Sequence, residues 1–336
     1  QRAQFDCNRV FMNWTFTSEN NLASTFATYI NPFWQNSVTQ GHFSGKDNIK
    51  VRFAHCIPES PRATIVICSG RIESYLKYKE FIYDLYQNGF AVFILDHRGQ
   101  GLSDRMTRDP QHGYVADFDD YVDDFVMFVE TIVKPLQQGP LQLVCHSMGG
   151  AIGALTLLRL PNLFSKAVLA SPMFGIKPAL PNWLANGLIR TGLAVNRMKK
   201  KDAGYFFGQT PYIAFPFSLN KLTHSKTRYA LFRELYDEEQ DIQLGGVTTE
   251  WLAAAHQAMN KIESSARAIT TPSLVLSADD DAIIDNNRQR RVAQLMPNAK
   301  LEIVPRAYHE LFTESDDIRE RSVARILDFL TEDPST

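Results

Sequence analysis

Ser147 sits between two apolar runs. Leu141-Gln-Leu-Val-Cys-His-Ser-Met-Gly-Gly150 leads into it and Ala151-Ile-Gly-Ala-Leu-Thr-Leu-Leu158 follows at once. Strand, sharp turn and helix in that order hold a serine hydroxyl out at a corner, where it can act as a nucleophile. Such a turn strains the serine backbone and packs other backbone close around it, so its neighbours must be small. Gly149 and Gly150 meet that need on one side. On the other, Cys145 stands where G-x-S-x-G has its first glycine, and cysteine is small enough for the turn to tolerate. A serine that merely caps a helix is the plainer reading; the strand-to-helix context around the motif favours the nucleophile.

A serine hydroxyl attacks only when a neighbouring base takes its proton. On elbows of this kind the chain order is serine, then an acid, then histidine. His224, His256 and His309 follow Ser147, and only His309 comes after the last strand-like run, in Val304-Pro-Arg-Ala-Tyr-His-Glu-Leu311. His224 and His256 fall in a different region and suit structural or substrate-contact roles. The acid should follow Ser273-Leu-Val-Leu-Ser277, where Asp279, Asp280, Asp281 and Asp285 all qualify by position. Against the loop pattern G-x-x-D-x-x-V, with Ala278 for glycine and Ile284 for valine, Asp281 takes the acid's place; Asp280 and Asp285 stay open.

Acyl transfer builds negative charge on a carbonyl oxygen, which fixed backbone N–H groups can stabilise. Met148, directly after the nucleophile, is one expected donor. The other should come from the loop Ser69-Gly-Arg-Ile-Glu-Ser-Tyr75, and the Arg71 amide is chosen because Gly70 lets the backbone turn toward the site. The Arg71 side chain could hold a phosphate or pair with Glu73, and the sequence does not decide between them.

The elements that must position these residues read as a mostly parallel sheet with flanking helices. From Ala63 onward, β-branched runs near 63–68, 91–96, 141–146, 166–171, 272–277 and 300–304 alternate with segments of helical period. Residues 42–56 read as an antiparallel hairpin turning at Gly45-Lys46-Asp47-Asn48. Phe118, Tyr121, Val122, Phe125, Val129 and Ile132 recur at helical spacing, with Asp119, Asp120, Asp123 and Asp124 favouring the helix N-terminal half and Pro135 ending it. The alternation fails between about 173 and 262, where Pro178, Pro181, Pro211 and Pro216 interrupt Trp-, Leu-, Phe- and Tyr-rich segments. The expected organisation is a core over 1–172 including an N-terminal extension, a helical cap inserted over 173–262, and the rest of the core over 263–336.

At 336 residues, 44% hydrophobic and 21% charged, the chain can bury a large core. A net charge of −2 offers no positive field for a phosphate backbone, so nucleic acid is not an expected partner. The apolar runs fall well short of the roughly 20 residues that span a bilayer. Gln1 reads as a trimmed or tagged start, and no H-E-x-x-H or Cys/His cluster implies a metal or other cofactor. Cys7, Cys56, Cys68 and Cys145 lack C-x-x-C spacing, a usage suited to a reducing cytoplasm.

These motifs resemble those of the α/β-hydrolase family of monoacylglycerol lipases and bacterial (PldB-type) lysophospholipases, over about Phe33 to Leu330. The resemblance is carried by Gly70-Arg-Ile-Glu-Ser-Tyr75, Asp96-His-Arg-Gly-Gln-Gly101, Asp119-Asp-Tyr-Val-Asp-Asp124, His146-Ser-Met-Gly-Gly150, Pro172-Met-Phe-Gly-Ile176, Leu222-Thr-His-Ser225 and Ala307-Tyr-His-Glu310. It implies an α/β-hydrolase fold, ester hydrolysis of lysophospholipids or monoacylglycerols through an acyl-serine, and peripheral contact with the inner face of the bacterial inner membrane.

Gly70, His146, Trp183, Leu184 and Leu188 are the expected substrate contacts. In the cap, Trp183, Leu184, Leu188, Ile189 and Leu193 recur near helical spacing after Pro181. This stripe could line an acyl channel, rest on a membrane or pack on the core, while Lys199-Lys-Lys201 could draw anionic head groups or simply be solvated. A lidded apolar site suits a lipid, because each buried methylene contributes about 0.8 kcal/mol. The rivals are a carboxylesterase or peptidase on the same fold, and a non-catalytic lipid-binding protein on a hydrolase scaffold.

Overall fold

Runs in which every residue is apolar or small persist only where both faces of a sheet are covered. In the computed structural model, which describes residues 3–4 and 13–332, such runs form the parallel heart of a nine-stranded sheet. Its strands are β1 (Ala3–Gln4), β2 (Thr39–Ser44), β3 (Lys50–Cys56), β4 (Ala63–Cys68), β5 (Phe90–Leu95), β6 (Leu141–His146), β7 (Lys166–Ala170), β8 (Ser273–Ala278) and β9 (Ala299–Val304). Their order is β1-β9-β8-β7-β6-β4-β5-β3-β2, parallel except where β3 pairs with β2 and β5. Every residue of β4, β5, β6 and β8 is buried. The six expected parallel strands lie within a residue of their expected positions, and the hairpin begins three residues earlier than read. Gln1 and Cys7 lie outside the described residues.

Helices cover both faces. The chain forms α1 (Leu22–Thr25), α2 (Asn31–Ser37), α3 (Lys79–Gln87), α4 (Asp119–Phe128), α5 (Met148–Arg159), α6 (Asn182–Met198), α7 (Lys226–Glu238), α8 (Thr249–Ser265), α9 (Asn286–Leu295) and α10 (Asp316–Thr331). Residues of α4, α5, α8 and α9 bury their apolar sides in one cluster on one face. Those of α2, α3 and α10 do so in a second cluster on the other. The acidic start of α4 does more than complement its dipole. Asp124 accepts from Arg98 Nε at 2.6 Å, and Asp120 pairs with Lys46 at 2.5 Å, tying helix, β2–β3 turn and the Asp96–Gly101 loop together.

The range expected for the cap includes a helix, α8, whose packing is that of the core. Trp251, Ala255, Met259 and Ile262 of α8 are buried in the same cluster as Ile152 and Leu155 of α5, so α8 is the layer helix leading into β8. No strand precedes it, so its membership in the alternation is hidden in the sequence. We propose that the insertion ends near residue 248. What remains, with α6 and α7, leaves Leu180, Trp183, Met198, Phe207, Ile213, Phe215 and Leu219 exposed.

Cys145 fits because of a glycine one helical turn beyond the elbow. A Cβ on Gly153 would lie 2.4 Å from the Cys145 sulfur, so the strand and helix approach only while residue 153 has no side chain. Gly153→Ala should therefore destabilise the fold by about 1–3 kcal/mol through overpacking. Adding Cys145→Ala should restore most of the loss in chemical denaturation; equal midpoints for wild type and the single variant would refute this reading.

Candidate active site

Between β6 and α5 the chain must reverse within one residue, and Ser147 absorbs the turn with φ 52° and ψ −119°. Gly149 allows it: a Cβ there would sit 1.9 Å from the Cys68 carbonyl oxygen. A backbone in this sparsely populated region persists only when its surroundings over-determine it. Here the Ser147 N–H donates to the Ala170 carbonyl at 3.1 Å, and its own carbonyl accepts from Met173 at 2.9 Å.

Two loops from the C-terminal ends of neighbouring strands meet this corner. After β9, His309 comes within 2.9 Å of the Ser147 hydroxyl through Nε2. After β8, Asp281 lies 2.6 Å from His309 Nδ1. The second Asp281 oxygen accepts the amides of Ile283 and Ile284 at 2.8 and 3.0 Å. Burial would push this carboxyl up, but the neighbouring His309 and these hydrogen bonds hold it below the ordinary aspartate value. Ionised and fixed, Asp281 can hold His309 with Nδ1 protonated and Nε2 free to accept from Ser147. The other acids of the loop have different partners: Asp279 pairs with Arg290, Asp280 is exposed, and Asp285 caps α9 by accepting from Asn287 and Arg288.

Gly70 lies against the nucleophile, where an added Cβ would be 3.2 Å from that of Ser147. Its N–H and C=O are both taken, by Glu73 Oε2 at 2.5 Å and by Gln100 Nε2 at 2.8 Å. The next N–H along this loop belongs to Arg71. Met148 opens α5, so its N–H is one of the four that lack an intrahelical acceptor.

Behind these loops lies a buried ionic cluster that sequence reasoning missed. Glu73 accepts from the Tyr78 hydroxyl at 2.6 Å and from His146 Nδ1 at 3.2 Å, and it pairs with Lys77 at 3.3 Å. Lys77 also pairs with Glu310 at 2.6 Å, and His146 Nε2 reaches the His309 carbonyl at 3.2 Å. Both partners of His146 are acceptors, so both bonds exist together only in the imidazolium form. Burial would lower the His146 pKa, but Glu73 raises it further. Burial likewise works against the Glu73 carboxylate, yet His146 and Lys77 hold it well below its usual range. One cluster therefore joins the Gly70 loop to the His309 loop. Its sequence trace was adjacency alone: Glu73 lies in the Gly70–Tyr75 motif and Glu310 follows His309.

The structure corrects several expected contacts. His146 spends both ring nitrogens inside this cluster and offers substrate none. Arg71 does not pair with Glu73; it donates from Nη2 to the Gly245 carbonyl at 2.6 Å and lies over Trp251, 5.3 Å from the ring centre. Trp183 is 75% exposed, and neither it nor Leu184 is in the wall of the large cavity that Leu188 lines. That cavity, of about 660 Å³, is lined by Leu188, Ile189, Phe206, Leu252 and Met259 together with charged side chains including Arg288 and Glu263. Ser147, His309 and Asp281 are not among the residues that line it. The segment from Met173 to Pro178 connects the two: Met173 donates to the Ser147 carbonyl, Gly175 to Pro178 line the cavity, and Lys177 Nζ donates to the Asp281 carbonyl at 2.5 Å.

His256 also lines the cavity, while His224 pairs with Glu314 at 2.7 Å and stacks on Tyr308, docking the insertion on the His309 loop. Among the described residues no group of three or more His, Cys, Asp or Glu side chains is arranged to hold a metal ion.

Glu73→Gln should lower kcat/KM roughly 10²-fold, the scale expected when a catalytic group shifts by about 1 Å. It should also move the titration of His146, followed by NMR, to lower pH. Because the Glu73 pKa is depressed on folding, its stabilisation is present above the ordinary glutamate range and lost as pH falls below it. The variant should therefore lack that part of the acid limb of stability against pH. Unaltered turnover would separate the cluster from the site.

Comparison with known proteins agrees with this geometry. Residues 59–316 match the family model described as serine aminopeptidase, S33. The chain is 36% identical to lysophospholipase L2 of Escherichia coli K12 over 320 residues, 93% of each chain. It is 27% identical to rat monoglyceride lipase over 264 residues, 77% of this chain and 79% of that one. A thermostable carboxyl esterase from Bacillus coagulans superposes with a TM-score of 0.66 over 88% of this chain and 98% of that one, at 17% identity, a likeness of fold. An elbow serine on a mostly parallel sheet, a family match across most of the chain and a relative aligned nearly end to end agree: this protein is an α/β-hydrolase and belongs to the serine aminopeptidase S33 family of hydrolases.

Proposed function

We propose that the protein hydrolyses the carboxylic ester of lysophospholipids or monoacylglycerols, releasing a fatty acid, with Ser147 as nucleophile, His309 as base and Asp281 as orienting acid. The observation that carries this reading is the hydrogen-bonded chain Ser147–His309–Asp281, at 2.9 and 2.6 Å, linked through the 173–178 segment to a cavity of about 660 Å³ whose wall includes Leu188, Ile189, Phe206, Leu252 and Met259. That volume is in the range of small-molecule sites and suits an acyl chain. The named relatives, a lysophospholipase and a monoglyceride lipase, support the same substrate class.

Ser147 Oγ attacks the ester carbonyl carbon while its proton passes to His309 Nε2. The oxyanion is met by the Met148 and Arg71 amides. Collapse breaks the bond to the glycerol oxygen, which leaves with the proton from His309. Water then attacks the acyl-serine, giving its proton to His309, and the fatty acid departs as Ser147 regains its hydrogen.

The insertion supports a peripheral membrane role. The insertion exposes Leu180, Trp183, Phe207, Phe215 and Leu219 and also carries Lys199-Lys-Lys201, apolar and basic groups of the kinds that an interface with anionic lipid uses. No helix among the described residues is long and apolar enough to cross a membrane. Binding to anionic vesicles should fall when Trp183 and Phe207 are both changed to Ser; undiminished co-sedimentation would remove this role.

Purified protein should cleave lysophosphatidylcholine or monoolein, and Ser147→Ala should abolish that cleavage while leaving the circular dichroism spectrum intact. The family's aminopeptidase description makes an aminoacyl amide the necessary third substrate. Preference for the amide over both lipids would overturn the proposal, as would wild-type turnover by Ser147→Ala.

A further inference from the structure

Arg71 is a cation with little to answer it. Among the described residues its Nη2 donates only to a backbone carbonyl, and its Nε is shielded from solvent with no hydrogen-bond partner. Among the described residues it makes no ion pair, and burial lowers its pKa to about 10. Two more shielded polar atoms beside it, the Tyr205 hydroxyl and His112 Nδ1, also lack partners among the described residues. These groups share one corner. A Cβ on Gly113, next to His112, would lie 3.0 Å from Arg71 Nη2, and one on Gly245 would lie 2.6 Å from the Tyr205 hydroxyl. The rings of His112 and Tyr205 meet at 4.6 Å. The carboxylate at this corner, Asp109, sits 3.5 Å from the other ring nitrogen of His112.

A shielded guanidinium without an acid is unfavourable unless something else compensates it. Arg71 Nε, the Tyr205 hydroxyl and, in the protonated ring, His112 Nδ1 can each donate, and these three atoms have no acceptor among the described residues, which points to a ligand rich in acceptor oxygens. The corner is joined to the reaction centre by one residue's length, because Gly70 touches Ser147 and Arg71 follows it. An arginine side chain is about as long as the path from an ester carbonyl across glycerol to its phosphorus.

We propose that the Arg71 guanidinium, with Tyr205 and His112, receives the phosphate diester of a lysophospholipid whose ester lies at Ser147, and so sets preference for phospholipid over neutral glyceride. This rests on the lipid-ester reading above. The insertion supplies Tyr205 and Gly245 and the core supplies Arg71 and His112, so the head group would be gripped where the two parts meet.

The test measures kcat/KM for lysophosphatidylglycerol and for a monoacylglycerol of the same acyl chain, reading their ratio within each variant. Arg71→Gln should lower the ratio roughly 10- to 100-fold, the range of a charge-assisted hydrogen bond. Arg71→Lys should recover part of it, and Tyr205→Phe should lower it by a smaller factor. A ratio that stays at the wild-type value in Arg71→Gln, with both activities falling together, would overturn the proposal. Inorganic phosphate should inhibit the wild type far more weakly than a non-hydrolysable lysophospholipid ether. Equal inhibition would assign the corner to free phosphate and overturn the head-group reading. If the wild type cleaves neither lipid, the lipid-ester reading itself fails; if it cleaves both, the ratio judges Arg71 alone.

Discussion

The structure turns on one strained residue. Ser147 can hold its left-handed backbone only because Gly149 brings α5 against the Cys68 carbonyl at a distance no Cβ permits, and because its own peptide groups are tied to Ala170 and Met173. The conformation lifts the hydroxyl clear of the sheet edge, and His309 and the loop from β4 are arranged around the resulting corner. The all-buried strands serve this constraint: a rigid sheet lets loops from β4, β8 and β9 converge with hydrogen-bond accuracy.

Around the corner, charge is arranged in two layers with different tasks. Asp281 faces His309 Nδ1 directly, the position from which a carboxylate can fix the imidazole tautomer. The cluster of Glu73, Lys77, His146 and Glu310 lies behind, touching the Gly70 amide on one side and the His309 carbonyl on the other. Such a buried network is favourable only when each charge is answered, and here each is. It spans the groups that would handle the oxyanion and the proton, so their spacing is set by one rigid unit. Arg71, without an acidic partner among the described residues, is the exception beside it.

Much of this was legible in the sequence wherever a local pattern coincided with a single physical demand. The buried strands, the elbow and a histidine after the last strand each announce themselves within about ten residues. Asp281 was one of four acids in a short loop, and only coordinates reveal that Asp279 and Asp285 are occupied with Arg290 and the start of α9. The partners of Arg71 and His146 are distant in the chain, so spacing carried no trace of Gly245 or of the His309 carbonyl. Helix α8 falls inside the range that the broken alternation assigns to the insertion because nothing strand-like precedes it, although its buried face shares a cluster with α5. Trp183 and Leu184 kept helical spacing, but that period could not reveal which side of α6 meets the cavity.

The most direct measurement is covalent labelling with a fluorophosphonate followed by peptide mapping, comparing wild type with His309→Ala. An activated serine predicts one adduct per chain, on the peptide containing Ser147, formed rapidly in the wild type and slowed by orders of magnitude in the variant. Labelling at another residue, or labelling at Ser147 that proceeds equally fast without the imidazole, would contradict the account.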